Sequence, residues 1–214
     1  MELVNPKAEL YTEQFTTEDE KLLQEIYNST LQNHTHAHMQ SSSVQGQLLA
    51  MLSHLAQPQY ILEIGTFTGY SAICLAKGLT QNGELHTIEL RDEDADTALT
   101  NFRTLQLDNK IHLHRGNAKN IVATLNYKWD IVFIDADKTG YIEYYEMVLP
   151  LLSDNGIIIA DNTLFHGQVL SEEITNKSAK AIHEFNLHVQ KDNKTTQVML
   201  TVRDGLTIIK KNKT

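Results

Sequence analysis

The sequence predicts an α/β fold built on one doubly wound, mostly parallel sheet. Three observations carry this expectation. From Tyr60 onward, short apolar runs alternate with helix-patterned segments; a glycine-bounded turn, Gly65-Thr66-Phe67-Thr68-Gly69, follows the first run; and the chain closes on two strand-like segments joined by Arg203-Asp204-Gly205. Strict alternation of strand and helix calls for crossover connections, and hence a parallel sheet covered on both faces. The Asp-Gly pair near the end is a hairpin signal, so the sheet becomes mixed at that edge. The expected architecture is Rossmann-like, with a C-terminal antiparallel hairpin and extra N-terminal helices.

Each element has its own signal. Thr17-Glu18-Asp19-Glu20 has the form of a capping box and predicts a helix running through Leu22, Leu23, Ile26 and Tyr27. The polar stretch from Asn28 to Ser43 breaks it. Ser43 caps the next helix, whose Leu48, Leu49, Met51, Leu52 and Leu55 keep helical spacing until Pro58. Strands are expected at 60–64, 84–89, 110–115, 129–135 and 156–161, with helices at 69–79, 92–105, 118–125 and 139–152 between them. A helix at 177–189 and strands at 195–202 and 206–210 complete the chain. The reading is a single domain over 1–214, with 1–57 as a helical cover and 58–214 as the α/β core. The cover is free either to close the ligand edge or to form a subunit contact.

Composition narrows the function. The chain has 214 residues, 41% hydrophobic and 21% charged, an ordinary globular mix. With 18 Lys and Arg against 27 Asp and Glu, the net charge is −9, which disfavours broad electrostatic capture of nucleic acid. The lone Cys74 sits in an apolar stretch and reads as a packed helix residue in a reducing compartment. No apolar run reaches the length of a membrane span, and the first residues lack a signal peptide's pattern, so a cytoplasmic location is expected.

Asp135-Ala136-Asp137-Lys138 and Asp161-Asn162 each end an apolar run that reads as a buried strand. Ligands of open α/β sheets bind outside the carboxyl ends of the strands. Two carboxylates, a carboxamide and an ammonium therefore share one sheet edge. Oxygen donors of this kind suit a hard divalent cation such as Mg²⁺ or Ca²⁺, and Lys138 is a candidate proton acceptor beside it. In Gly65-x-x-x-Gly69, Phe67 fills the middle of the turn, which argues against a pyrophosphate and suits a nucleoside without one. Glu89 ends the second strand at an offset where an acid binds ribose hydroxyls.

With these residues in hand, the chain resembles the class I S-adenosylmethionine-dependent, cation-dependent O-methyltransferases, the group of catechol and caffeoyl-coenzyme A O-methyltransferases. The resemblance rests on Gly46-Gln47, Glu63-x-Gly65-x-x-x-Gly69-Tyr70-Ser71, Glu89, Asp135-x-x-Lys138, Asp161-Asn162 and Asp204-Gly205. It implies metal ligation by Asp135, Asp161 and Asn162, and Lys138 as general base. It implies Glu89 on the cofactor ribose and Ser71 near its amino-acid end, with Glu63, Gly65 and Asp135 also on the cofactor. Met39 to Ser41 would line the entrance over the methionine part, and Gly116, Asn117 and Ala118 would approach the adenine. Phe165 and His166 stand where the caffeoyl-coenzyme A type often carries an indole. The implied reaction moves a methyl group from S-adenosylmethionine to a small catechol-like acceptor, with a homodimer as the expected assembly.

Plainer readings stand beside these. His34, His36 and His38 read as a solvated loop, although their spacing could gather imidazoles on a metal. His166 could touch the acceptor or the surface. Asp137 reads as solvated or helix-capping, and Tyr141, Tyr144 and Tyr145 as packing. A tRNA hydroxyuridine O-methyltransferase is the alternative function. The acidic charge weighs against it, and Lys191, Lys194, Lys210 and Lys211 offer only a modest basic cluster. A cofactor-binding protein without catalysis is the third.

Overall fold

In the computed structural model, which describes residues 3–212, seven strands form one sheet. Met1, Glu2, Lys213 and Thr214, part of the expected domain, lie outside the described residues. The strands are β1 (Tyr60–Ile64), β2 (Glu84–Glu89), β3 (Ile111–Arg115), β4 (Trp129–Ile134), β5 (Leu152–Asp161), β6 (Thr195–Leu200) and β7 (Leu206–Lys211). Their order is β3-β2-β1-β4-β5-β7-β6. The first five are parallel, and β7 pairs antiparallel with both β5 and β6. The mostly parallel sheet and its antiparallel end are therefore as the sequence predicts. The order reverses between β1 and β4, whose last residues Ile64 and Ile134 are register partners. That reversal opens a crevice at their carboxyl ends.

The central strands β1 and β4 are apolar on both faces because both faces are covered. Leu62, Ile64, Val132 and Ile134 pack with Trp129, Tyr141, Tyr145 and Phe185 on one side. Ile61, Ile131 and Phe133 pack with Leu49, Leu75, Leu85 and Phe102 on the other. The flanking helices are α4 (Tyr70–Ala76), α5 (Asp92–Thr104), α6 (Ala118–Val122), α7 (Tyr141–Val148) and α8 (Lys177–Lys191). Cys74 is fully buried in α4.

The N-terminal third departs from expectation. A helix α1 (Pro6–Gln14) precedes the others, capped by the Asn5 side chain, which accepts from the Lys7 N–H, with Pro6 in the first turn. The next helix, α2 (Lys21–Asn33), starts after the supposed capping box and runs past Asn28. Asp19 is drawn away from the helix end: its carboxylate accepts from Tyr70 Oη at 2.6 Å, Lys77 Nζ at 2.9 Å and Gln47 Nε2 at 2.9 Å. The helix persists beyond Asn28 because Thr30 is buried and bonds Thr68 at 3.1 Å. Ser42, rather than Ser43, caps α3 (Ser43–Ala56), accepting from the Gln45 N–H at 3.3 Å. The segment expected as one helix over 139–152 is α7 between two 3₁₀ turns, Lys138–Gly140 and Leu149–Leu151, the second containing Pro150. Among the described residues, no helix is long and apolar enough to cross a membrane.

Candidate active site

The turn after β1 and the segment after β4 meet at the crevice. Gly65 has φ +101°, and a Cβ there would lie 1.9 Å from the Asp135 carbonyl oxygen. Only glycine lets the two backbones touch. Gly69, at φ +91°, does the same for the Phe102 ring of α5, which a Cβ would meet at 2.5 Å.

Beneath the turn lies Glu63, which is fully buried. Its carboxyl accepts from Ser71 Oγ at 2.6 Å and Thr87 Oγ1 at 2.5 Å. Burial pushes its pKa from 4.5 up to about 8, against those two hydrogen bonds. Glu89 closes the turn from the β2 side. Its carboxylate accepts from the N–H groups of Phe67 at 2.7 Å, Leu90 at 3.0 Å and Arg91 at 2.9 Å. A carboxylate has about four lone-pair directions, so the loop fixes this group while leaving it room for a further donor.

On the other side of the crevice, Lys138 Nζ lies 2.9 Å from Asp135 Oδ1 and 2.8 Å from Tyr141 Oη. Burial opposes the ammonium charge, but Asp135, Tyr141 and Asp161 outweigh it and hold the lysine pKa well above its ordinary value. Tyr141 Oη also reaches the carbonyls of Ile134 at 3.2 Å and Asp161 at 3.1 Å. It thereby ties the lysine to the ends of β4 and β5. Packing alone was expected of Tyr141, and this polar role was missed.

Asp161 is fully buried. Its oxygens accept from Gln45 Nε2 and its neighbour's Asn162 N–H, both at 2.8 Å. Burial and then the like charge of Asp135 raise its pKa from 3.8 to about 7. Asn162, at φ +55°, donates from Nδ2 to Asp204 Oδ2 at 3.2 Å, leaving its carbonyl oxygen for another partner. Two mutually repelling carboxylates and a carboxamide oxygen form a hard-donor set, which fits a divalent cation. Among the described residues, no three His, Cys, Asp or Glu side chains cluster so as to hold a metal. A cation here would therefore need the carboxamide as well as the two acids.

A cavity of about 720 Å³ joins these groups, within the range of small-molecule sites. Met39, Ser41, Gly65, Ser71, Glu89, Asn117, Ala118, Asp135, Lys138 and Asn162 all line it, while Glu63 and Asp161 lie behind the wall. Pro6 and Glu9 of α1 contribute to its rim. Asp137 is exposed, as expected, and stands at the N-cap position of the Lys138–Gly140 turn; its carboxylate accepts from Tyr144 Oη at 2.5 Å and Thr139 Oγ1 at 3.1 Å rather than from a backbone N–H. His36 and His38 are exposed, as expected, whereas His34 is half-buried, bonds Asp94 Oδ1 at 2.9 Å and stacks edge-on against Phe67. His166 stays exposed at the cavity rim. Gln45, Arg91 and Arg203 are residues at the site to which the sequence reading assigns no role there, and Phe67 is read only as the residue that fills the glycine turn. Gln45 adjoins the Gly46-Gln47 pair, and positive φ angles at Phe67 and Arg203 carry no sequence signal when the residue is not glycine.

Comparison with known proteins gives the family. A catechol O-methyltransferase of Niastella koreensis is 36% identical over 146 residues, 66% of each chain. Tricin synthase 2 of Oryza sativa is 31% identical over 190 residues, 83% of this chain and 65% of the relative. The chain thus spans just under two thirds of the length of these two relatives. The crystal structure of an S-adenosylhomocysteine-bound methyltransferase from Podospora anserina superposes with a TM-score of 0.90 at 27% identity, covering 97% of this chain and 94% of that one. The family model described as O-methyltransferase matches residues 13–212. With that match over nearly its whole length, the chain belongs to the O-methyltransferase family.

Proposed function

We propose that the protein transfers a methyl group from S-adenosylmethionine to one hydroxyl of a small vicinal diphenol, with Asp135, Asp161 and Asn162 holding a divalent cation, Mg²⁺ or Ca²⁺. The observation that carries this is the contact of two half-sites. The Gly65 turn, which suits a nucleoside, touches the backbone of Asp135, the first of the hard oxygen donors. A methyl donor on one side and a chelated acceptor on the other then share one cavity.

When bound, S-adenosylmethionine supplies an electrophilic methyl, and a divalent cation acidifies a hydroxyl that chelates it. The protein's own groups do the rest. Glu89, immobilised by three N–H groups, accepts from a ribose hydroxyl and sets the cofactor's position. The Gly65 backbone and Ser71 shape the wall along which the amino-acid end lies, and Asn117 and Ala118 face the base. Asp135 and Asp161 currently stabilise the Lys138 ammonium. When both carboxylates serve a cation, that support weakens and a second positive charge stands nearby. Both effects favour the neutral amine, which can take the acceptor's proton at Nζ. Residues 1–57 act as the cover, with Met39 and Ser41 on the cavity wall.

The assembly proposed is a homodimer. Exposed Leu10, Tyr11 and Phe15 and exposed Met51 and Leu55 of α3 support it, and light scattering tests it. Burial of the lone Cys74 suits a cytoplasmic setting. The functional test is a panel of catechols, monophenols, and unmodified and hydroxyuridine-containing tRNA, read by S-adenosylhomocysteine release with Mg²⁺. Catechols should turn over well and monophenols poorly. If monophenols match catechols, or only tRNA reacts, the diphenol reading is wrong.

A further inference from the structure

The cavity wall carries three long cationic side chains, and two of them are neutralised. Lys138 pairs with Asp135, and Arg91 pairs with Asp94 and lies 3.9 Å from Glu89. The third, Arg203, has no carboxylate within 4.0 Å among the described residues. Its guanidinium makes one hydrogen bond to a neutral group, donating from Nη2 to the His38 carbonyl at 2.8 Å. The adjacent Asp204 is engaged elsewhere, with Asn162 Nδ2 and the His166 N–H.

The backbone at this position is also unusual. Arg203 has φ +47°, in the left-handed region that favours glycine, on the hairpin turn that ends with Gly205. A long, charged residue held there at steric cost, facing a functional cavity, calls for a functional reason. The position supplies one. Asp204, the next residue, accepts from Asn162 Nδ2, and Arg203 and Asn162 line one cavity, so an acceptor held near Asn162 can direct its far end toward Arg203.

We propose that Arg203 is a specificity-determining residue that receives a carboxylate carried by the acceptor, so that the preferred substrate is an anionic diphenol. This rests on the diphenol reading above. A guanidinium has five N–H donors in a planar fork matched to a carboxylate, and only one is used by His38. His38 and His166, also on the wall, add donors of the same sense, while Glu9 and Asp204 are the nearby acids. The competing role is a purely structural one, in which Arg203 only fastens the segment around His38 over the cavity.

The test compares 3,4-dihydroxycinnamate with its methyl ester in the wild type, Arg203→Gly and Arg203→Lys. Two quantities are read: the ratio of kcat/KM for acid over ester with Mg²⁺, and the calorimetric Kd of each on protein loaded with S-adenosylhomocysteine and Mg²⁺. Charge-assisted hydrogen bonds predict that Arg203→Gly lowers both preferences about ten- to a hundredfold. Arg203→Lys should keep part of the preference, having the charge without the fork. Glycine suits φ +47°, so Tm should hold or rise and folding should not obscure the result. An unchanged acid-over-ester ratio, or equal losses for acid and ester, overturns the proposal in favour of the fastening role. If neither compound turns over, the diphenol reading fails instead, and the two binding constants still decide whether Arg203 recognises the carboxylate.

Discussion

Replacing Glu63 with glutamine should make the protein more stable, and increasingly so as pH rises. Glu63 is fully buried, and its pKa is raised from 4.5 to about 8. The folded protein therefore keeps a proton that the unfolded chain releases between those values. Where the native state binds more protons, stability falls as pH increases. The wild type thus has its full stability, as far as this group goes, below pH 4.5. It loses roughly 1.4 kcal/mol per pH unit as pH rises towards 8, a total on the order of 5 kcal/mol and about 3 kcal/mol by pH 7. Glutamine resembles the protonated acid in shape and has no charge to bury. The hydroxyls of Ser71 and Thr87 can rotate to serve its oxygen and nitrogen. At about 2–4 °C per kcal/mol for a chain of this size, Glu63→Gln should melt about 10 °C above the wild type at pH 8 and close to it at pH 5. Thermal unfolding from pH 5 to 9 reads the difference directly. Parallel profiles for the two proteins would show that the Glu63 proton is not linked to folding, and the burial argument would fail.

Three further outcomes follow from the site. Glu89→Ala removes a fixed carboxylate and should weaken S-adenosylmethionine binding about tenfold to a hundredfold, since hydrogen bonds to charged groups contribute roughly 1.5–3 kcal/mol; unchanged calorimetric affinity takes Glu89 out of the cofactor site. Asp161→Asn removes one charged donor while keeping a group for Gln45 and Asn162 to bond, so Mg²⁺-dependent turnover should collapse with cofactor affinity within a few-fold; a wild type fully active after exhaustive EDTA treatment contradicts the metal assignment. Lys138→Ala should cost about 10²–10⁴-fold in turnover near neutral pH, with the deficit shrinking as pH rises and the phenol ionises unaided; a deficit independent of pH assigns Lys138 to positioning instead.

Much of this fold is readable from local chemistry because its strands are buried on both faces. Such strands read as apolar runs: β1 begins and ends where its run does, and β2 keeps its expected bounds although Leu85 and Ile88 are its only aliphatic residues. The acids that end β4 and β5 stand out for the same reason, as abrupt charges after Ile134 and Ala160. The N-terminal helices are less legible because long-range bonds decide their limits. Thr17-Glu18-Asp19-Glu20 looks like a cap only until Asp19 finds Tyr70, Lys77 and Gln47. Gln45 bonds Asp161 from 116 residues away, and nothing near it in sequence announces that contact. Tyr141 reads as packing because its ring is buried, while its hydroxyl binds Lys138 and two strand ends.

The meeting of the Gly65 turn with Asp135 comes from topology. The chain places β2 and β3 on one side of β1, then crosses back to lay β4 on the other. Helices on opposite faces leave the carboxyl ends of β1 and β4 uncovered between them. Whatever follows those two strands must share that opening, however far apart it lies in sequence. The chain uses a glycine after β1, so the backbones touch, and an acid after β4, so the contact carries charge. The same placement explains why the conspicuous acids differ in exposure. Asp135, beyond the end of β4, keeps a face on the cavity, whereas Asp161 is still within β5 and paired with Leu206 of β7, and so is sealed in. That difference pushes the Asp161 pKa towards neutrality. Cation affinity should therefore rise with pH up to about 7, because Asp161 must lose its proton to bind. Mg²⁺ titrations at pH 6 and pH 8 should differ about tenfold, and equal affinities would mean that Asp161 is already ionised in its buried place.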